Sequence, residues 1–240
     1  VCWGHAAITQ RFNRLAFFKP NSPRPFQGRD KREDRIEKYE EIIDKIVANE
    51  VVDIPGFTNL REFSELPEVN EILQDRITRE WAKNAMSWQG LGIVAAEGLG
   101  ASPTSGEKGR ELFSDLEYRV KNYQAPTITF TEPGDAQKAH TVIVSKVKTD
   151  ANGKKYFCVK DSNTLDSDPT NTDPNDDITY LAENENCDNQ LSLKSNGQFH
   201  YRNPMWGDLG QVKLSHNENS DVVKQVNSLR ERCLNDKDCD

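Results

Sequence analysis

Gln124-Ala125-Pro126-Thr127-Ile128-Thr129-Phe130 is the stretch at which the periodicity of this chain changes. Upstream of Pro126 apolar residues recur at helical spacing; downstream they alternate. Residues 3–18 carry Ala7, Ile8, Phe12, Leu15 and Ala16 on one side, and the prolines at 20–25 end that helix. Residues 33–49 place Ile36, Tyr39, Ile42, Ile43, Ile46 and Val47 on one face with charges opposite, an amphipathic helix. Further helices are predicted over 68–88 and 107–123, separated by a glycine-rich segment at 90–106 that reads as loop. After the switch, strands are predicted at 127–130, 140–147 and 155–161, with weaker ones at 178–181, 190–193, 198–202 and 211–215. Asn152-Gly153 supports a hairpin between the second and third strands. A short helix over 221–233 closes the chain. The fold class that follows is α+β, with a helical part at 1–124 and a β-rich part at 125–240.

The bulk composition narrows the possible partners. The chain has 240 residues and a net charge of −8 at neutral pH, which argues against a nucleic-acid backbone or an anionic membrane surface. No apolar run approaches the roughly 18–20 residues that a membrane-spanning helix needs. Residues 163–177 form an acidic, proline-punctuated stretch within the β-rich part. Asp166, Asp168 and Asp173 offer hard oxygens for calcium, but no EF-hand spacing is present, and a solvated surface insertion is the favoured reading.

Five cysteines are present, at positions 2, 158, 187, 233 and 239. An odd number in an oxidising compartment leaves one free thiol, and Cys2 is the natural odd one. Cys158 and Cys187 bracket the acidic insertion; Cys233 and Cys239 flank a short polar loop. Four cysteines allow three connectivities, so the pairing stays open at this level, as does the alternative of five reduced thiols. Two bridges imply a secreted, periplasmic or otherwise oxidising location. No CxxC or paired His–Cys spacing suggests a metal, and no cofactor is expected.

The candidate chemistry lies in three separated blocks. Cys2-Trp3 opens the first helix. His140 stands at the head of the alternating run Thr141-Val142-Ile143-Val144, and Asp161 follows Tyr156-Phe157-Cys158-Val159-Lys160 at a strand end. An ordinary thiol is mostly protonated at neutral pH. A helix N-terminus and a neighbouring imidazolium both lower its pKa. In this reading Cys2 is the nucleophile, His140 the base and later the acid, and Asp161 the acceptor that fixes the imidazole tautomer.

These blocks resemble the papain-like cysteine peptidases. In that family the nucleophile is followed by Trp or Tyr, as Cys2 is by Trp3, and its histidine heads an apolar strand, as His140 does. The Cys2-to-His140 separation falls inside the roughly 130–150 residues expected. Tyr156-Phe157-Cys158-Val159-Lys160-Asp161-Ser162-Asn163 is similar to the family's Tyr-Trp-x-Val-Lys-Asn-Ser-Trp run, with Asp161 in place of its asparagine. Trp206-Gly207-Asp208-Leu209-Gly210 is similar to the Trp-Gly-x-x-Gly segment that follows in many members. The resemblance implies a two-lobed fold, with a helical lobe, an antiparallel β lobe and the active-site cleft between them. It also implies a cysteine endopeptidase acting on protein or peptide substrates through a thioester.

Besides Asp161, the chain departs from the family before the nucleophile, where the usual Cys-Gly-Ser stretch is absent. The oxyanion-hole glutamine lies just upstream of the family's nucleophile, where this sequence has no residues, and Gln10 lies on the wrong side to match it. An upstream pro-segment, or a processed piece carrying that glutamine, is therefore expected. Two other readings stay open. One is a transglutaminase-like acyl transferase or deamidase with the same Cys-His-Asp set; the other is a catalytically inactive binding protein of the same fold.

Overall fold

The computed structural model describes residues 2–25, 31–85, 92, 95–96, 99–122, 124–162, 187, 189–203 and 205–214. The chain opens with α1 (Cys2–Leu15), β1 (Ala16–Lys19), α2 (Arg32–Val47), β2 (Val52–Pro55), α3 (Leu60–Ser64), α4 (Pro67–Ala85) and α5 (Gly106–Lys121). Strands follow: β3 (Thr127–Glu132), β4 (Asp135–Thr149), β5 (Lys155–Lys160), β6 (Gln190–Leu193), β7 (Phe199–Asn203), β8 (Trp206–Asp208) and β9 (Val212–Leu214). The architecture is α+β, with the change of regime at Pro126. The predicted strand at 178–181, the helix at 221–233, the acidic stretch with Asp166, Asp168 and Asp173, and Cys233 and Cys239 lie outside the described residues.

Among the described residues two large apolar cores form, with a small third cluster between them. Helices α1, α2 and α4 bury one around Phe12, Ile43, Phe63 and Leu73. In it, Phe63 meets the edges of Phe57 and Tyr39, with ring centroids 5.1 and 5.8 Å away. The second core lies on one face of an antiparallel sheet whose described strands, seven in number, run in the order β8-β7-β6-β5-β4-β3-β9, and α5 covers part of it with Leu116 and Val120. The predicted turn joins β4 to β5: Gly153 takes φ 79°, and the Asp150 carboxylate accepts from the Asn152 and Lys154 amides.

The helical part differs from expectation in three places. The first helix stops at Leu15, because residues 16–19 leave it to pair in parallel with β2, Phe17 facing Asp53 and Phe18 facing Ile54. Strand β2 has only four residues and ends in a proline, too short for alternation to register. The short α3 has a legible cap in Asn59, whose side chain accepts from the Glu62 amide at 2.9 Å, while Glu62 reaches back to the Thr58 amide.

Helix α1 sits between the two cores. Ala6 packs with Ile143 of β4 and Ala125, while Ile8 and Phe12 belong to the helical core. Two α1 side chains reach the segment that precedes β3: Gln10 Nε2 donates to the Ala125 carbonyl at 3.0 Å, and Arg14 Nε donates to the Gln124 carbonyl. Against α4 the approach is close enough to require glycine. A Cβ on Gly4 would lie 2.1 Å from the Ile77 carbonyl oxygen. In a free helix Gly→Ala gains about 1 kcal/mol of propensity. Here the added methyl meets backbone that cannot swing aside, and such overpacking costs about 1–3 kcal/mol or more. Gly4→Ala should therefore lower the thermal midpoint, a sign opposite to propensity; an unchanged or raised midpoint in a melting experiment would contradict the packing described.

Candidate active site

Sheet register brings His140 and Asp161 onto one face. His140 pairs with Phe130 of β3, and Ile143 with Lys160 of β5. One step further, Asp161 comes opposite Val142, whose side chain shares the face of His140. The two then lie on a diagonal, and His140 Nε2 bonds Asp161 Oδ1 at 2.6 Å. Both side chains are closed to solvent, at 2% and 0% exposure.

The third group arrives from α1. Cys2, half-buried and free of any disulfide, hydrogen-bonds the His140 ring and receives the Thr141 backbone amide. Since Nε2 faces Asp161, the thiol addresses Nδ1. Cys2, His140 and Asp161, the three residues singled out in the sequence, thus converge from α1, β4 and the end of β5.

The electrostatics follow from this contact. Burial by itself raises the Cys2 pKa, but the His140 hydrogen bond and charge, with the Thr141 amide, bring it below the ordinary thiol value. Burial lowers the His140 pKa, but the hydrogen bonds and charges of Asp161 and Cys2 outweigh it and raise the ring to about 9. The favoured state is therefore a thiolate beside an imidazolium backed by a carboxylate. Such a pair can attack an electrophilic carbon and then return a proton to a leaving group.

Three further contacts complete the site. The Trp206 indole stacks on the His140 ring, centroids 5.8 Å apart and planes 13° from parallel. Phe130 packs edge-on against His140, Trp206 and Tyr201. Tyr201, from the middle of β7, donates its hydroxyl to Asp161 Oδ2 at 2.6 Å. Trp206 was legible through its motif, and the intervening insertion does not prevent it from reaching His140. Tyr201 carried no signal, since an aromatic residue in an alternating strand reads as core. Gln10 is fully buried and turns its amide to the Ala125 carbonyl.

A disulfide joins Cys158 of β5 to Cys187, at the two ends of the inserted segment. Among the described residues no cluster of three or more His, Cys, Asp or Glu side chains is placed to hold a metal, and no helix is long and apolar enough to cross a membrane. No protein-family model, curated protein or solved structure matches this chain.

His5, one turn along α1 from Cys2, has no hydrogen-bond partner on either ring nitrogen. It is 3% exposed and lines a small cleft with Thr141, Ile143, Lys160 and Ser162. Burial lowers its pKa to about 4.

Two predictions follow from these protonation states. The thiolate–imidazolium pair exists above the lowered Cys2 pKa and below about 9. Alkylation of Cys2 by iodoacetamide should already be fast below the ordinary thiol range. His140→Ala should move that onset up, because the largest influences opposing burial are then gone and the Thr141 amide is left to act against it; an onset that stays put would sever His140 from Cys2. The second concerns stability. The unfolded chain protonates His5 near pH 6.5 and the folded chain only near 4, so the unfolded state binds more protons between those values and stability falls as pH drops through that window. The full loss is on the order of 3 kcal/mol. Urea titrations from pH 7 to 4 should show a shallower acid decline for His5→Leu than for the wild type.

Proposed function

We propose that this chain is a thiol hydrolase, a papain-like cysteine endopeptidase with the two-lobed fold of that family and a cleft between its helical and β-rich parts. The reading rests on one observation: Cys2 hydrogen-bonds a buried imidazole whose far nitrogen is held by Asp161. The Cys2 thiolate attacks the scissile carbonyl carbon, and the His140 imidazolium gives its proton to the leaving amine. The C–N bond breaks and a thioester remains. Water, deprotonated by His140, then releases the acid and restores the thiol. Trp206 covers one face of the imidazole and limits its exposure to solvent. The Cys158–Cys187 bridge supports a secreted, periplasmic or otherwise oxidising location.

A second reading is favoured by one feature, the carboxylate of Asp161 where the peptidase family carries an amide. It is a transglutaminase-like acyl transfer or deamidation, with an amine or water accepting the acyl group from the same thioester. A single assay separates the two. The protein is incubated with a glutamine-bearing protein and a labelled primary amine, and both peptide cleavage and label incorporation are followed. Cleavage that falls by a factor on the order of 10³ or more in Cys2→Ala is the expected outcome. Stable amine incorporation without cleavage would move the assignment to acyl transfer. Neither activity, together with a Cys2 no more reactive than free cysteine, would leave a non-catalytic binding protein.

A further inference from the structure

We propose that Tyr201 is a positioning residue for this site: its hydroxyl holds Asp161 ionised and turned so that Oδ1 meets His140. The inference rests on the thiol reading above. A buried carboxylate accepts hydrogen bonds and donates none, so it stays ionised only where donors reach it. The Asp161 side chain has no solvent exposure, and its two oxygens are addressed from different strands, Oδ1 by His140 of β4 and Oδ2 by Tyr201 of β7, each at 2.6 Å. An amide at this position would bring its own N–H donors and have less need of the tyrosine.

The hydroxyl has little freedom to point elsewhere. Its oxygen takes a hydrogen bond from the Asn203 amide, which leaves the single hydroxyl proton for Asp161. Asn203 is itself braced: Nδ2 donates to Asn189 Oδ1 at 3.0 Å, and Oδ1 accepts from the Met205 amide at 2.9 Å. The tyrosine ring is fully buried and packs edge-on against Phe130, with centroids 5.4 Å apart. Since Phe130 also contacts the His140 ring, the base and the group that orients its partner share one aromatic support. Among the described residues, Asp161 and Cys2 bear most strongly on the charge of His140, and Asp161 on that of Tyr201. Removing the hydroxyl should destabilise the carboxylate, weaken its hold on the imidazolium and so withdraw support from the thiolate.

The test is the pH profile of Cys2 alkylation by iodoacetamide in the wild type, Tyr201→Phe, Asp161→Asn and the double variant, with circular dichroism as the check on folding. Tyr201→Phe keeps the ring and its packing. Its acid limb should move up by about one pH unit, a tenfold loss of thiolate at a fixed acidic pH. In the Asp161→Asn background the same change should leave the limb in place, because a neutral amide has no charge to stabilise. A limb that does not move, moves down, or moves equally in both backgrounds would overturn the assignment. Proton NMR of the wild type checks the bond without mutation: a downfield Tyr201 hydroxyl proton, slow to exchange with solvent, is expected, and a freely exchanging one would overturn the proposal. A wild-type Cys2 no more reactive than free cysteine at any pH would instead overturn the thiol reading and this inference with it.

Discussion

The close approach of α1 to α4 at Gly4 and to β4 at Ala6 governs the rest of the molecule. The strands deliver His140 and Asp161 through register alone, yet without α1 they have no thiol beside them. Small side chains at positions 4, 6 and 7 let the helix backbone come near both neighbours, and Gln10 and Arg14 tie its far end to the segment entering β3. The helix is thereby fixed along its length as well as across it. An error of one ångström in that placement would separate the sulfur from the imidazole, and hydrogen-bonded contacts tolerate little of that.

Stability and chemistry are carried by different parts. The two apolar cores hold the fold, with Phe12, Ile43 and Phe63 on one side and Phe130, Phe157 and Tyr201 on the other. The buried His140–Asp161 pair adds little to that, since removing two charges from water offsets most of what their attraction returns. What the pair gains from burial is a fixed geometry and a strong mutual influence on protonation. Phe130 links the two roles, because one ring belongs to the core and also supports His140, Tyr201 and Trp206.

Much of this was readable from the sequence where periodicity is long. The helices at 32–47 and 67–85 and the strands around Phe130, His140 and Phe157 follow from spacing, and the Asn152-Gly153 turn from its own chemistry. The parallel β1–β2 pair was not readable, because Ala16-Phe17-Phe18-Lys19 continues a helical pattern and only its partner 36 positions away in register, Ala16 against Val52, turns it into a strand. Cys2, His140 and Asp161 were legible because their flanks are distinctive and their order is that of a known chemistry. Tyr201 and His5 were not. Each sits in an ordinary apolar pattern, and what sets it apart is a neighbour brought near by sheet register or helix packing. A single sequence records the side chain and not that neighbour.

The bridge between Cys158 and Cys187 has a consequence for how this chain can change over time. It closes the two ends of the inserted segment three residues before Asp161, and on the return side the Asn189 carbonyl takes the Val159 amide. Asp161 lies inside the loop that the bridge closes, and it is held there by its own bonds to His140 and Tyr201. Lengthening a closed loop costs little, about 0.6 kcal/mol per doubling. Changes of length and charge beyond residue 162 are thus cheap for the loop, while the two bonds to Asp161 hold the carboxylate at its near end.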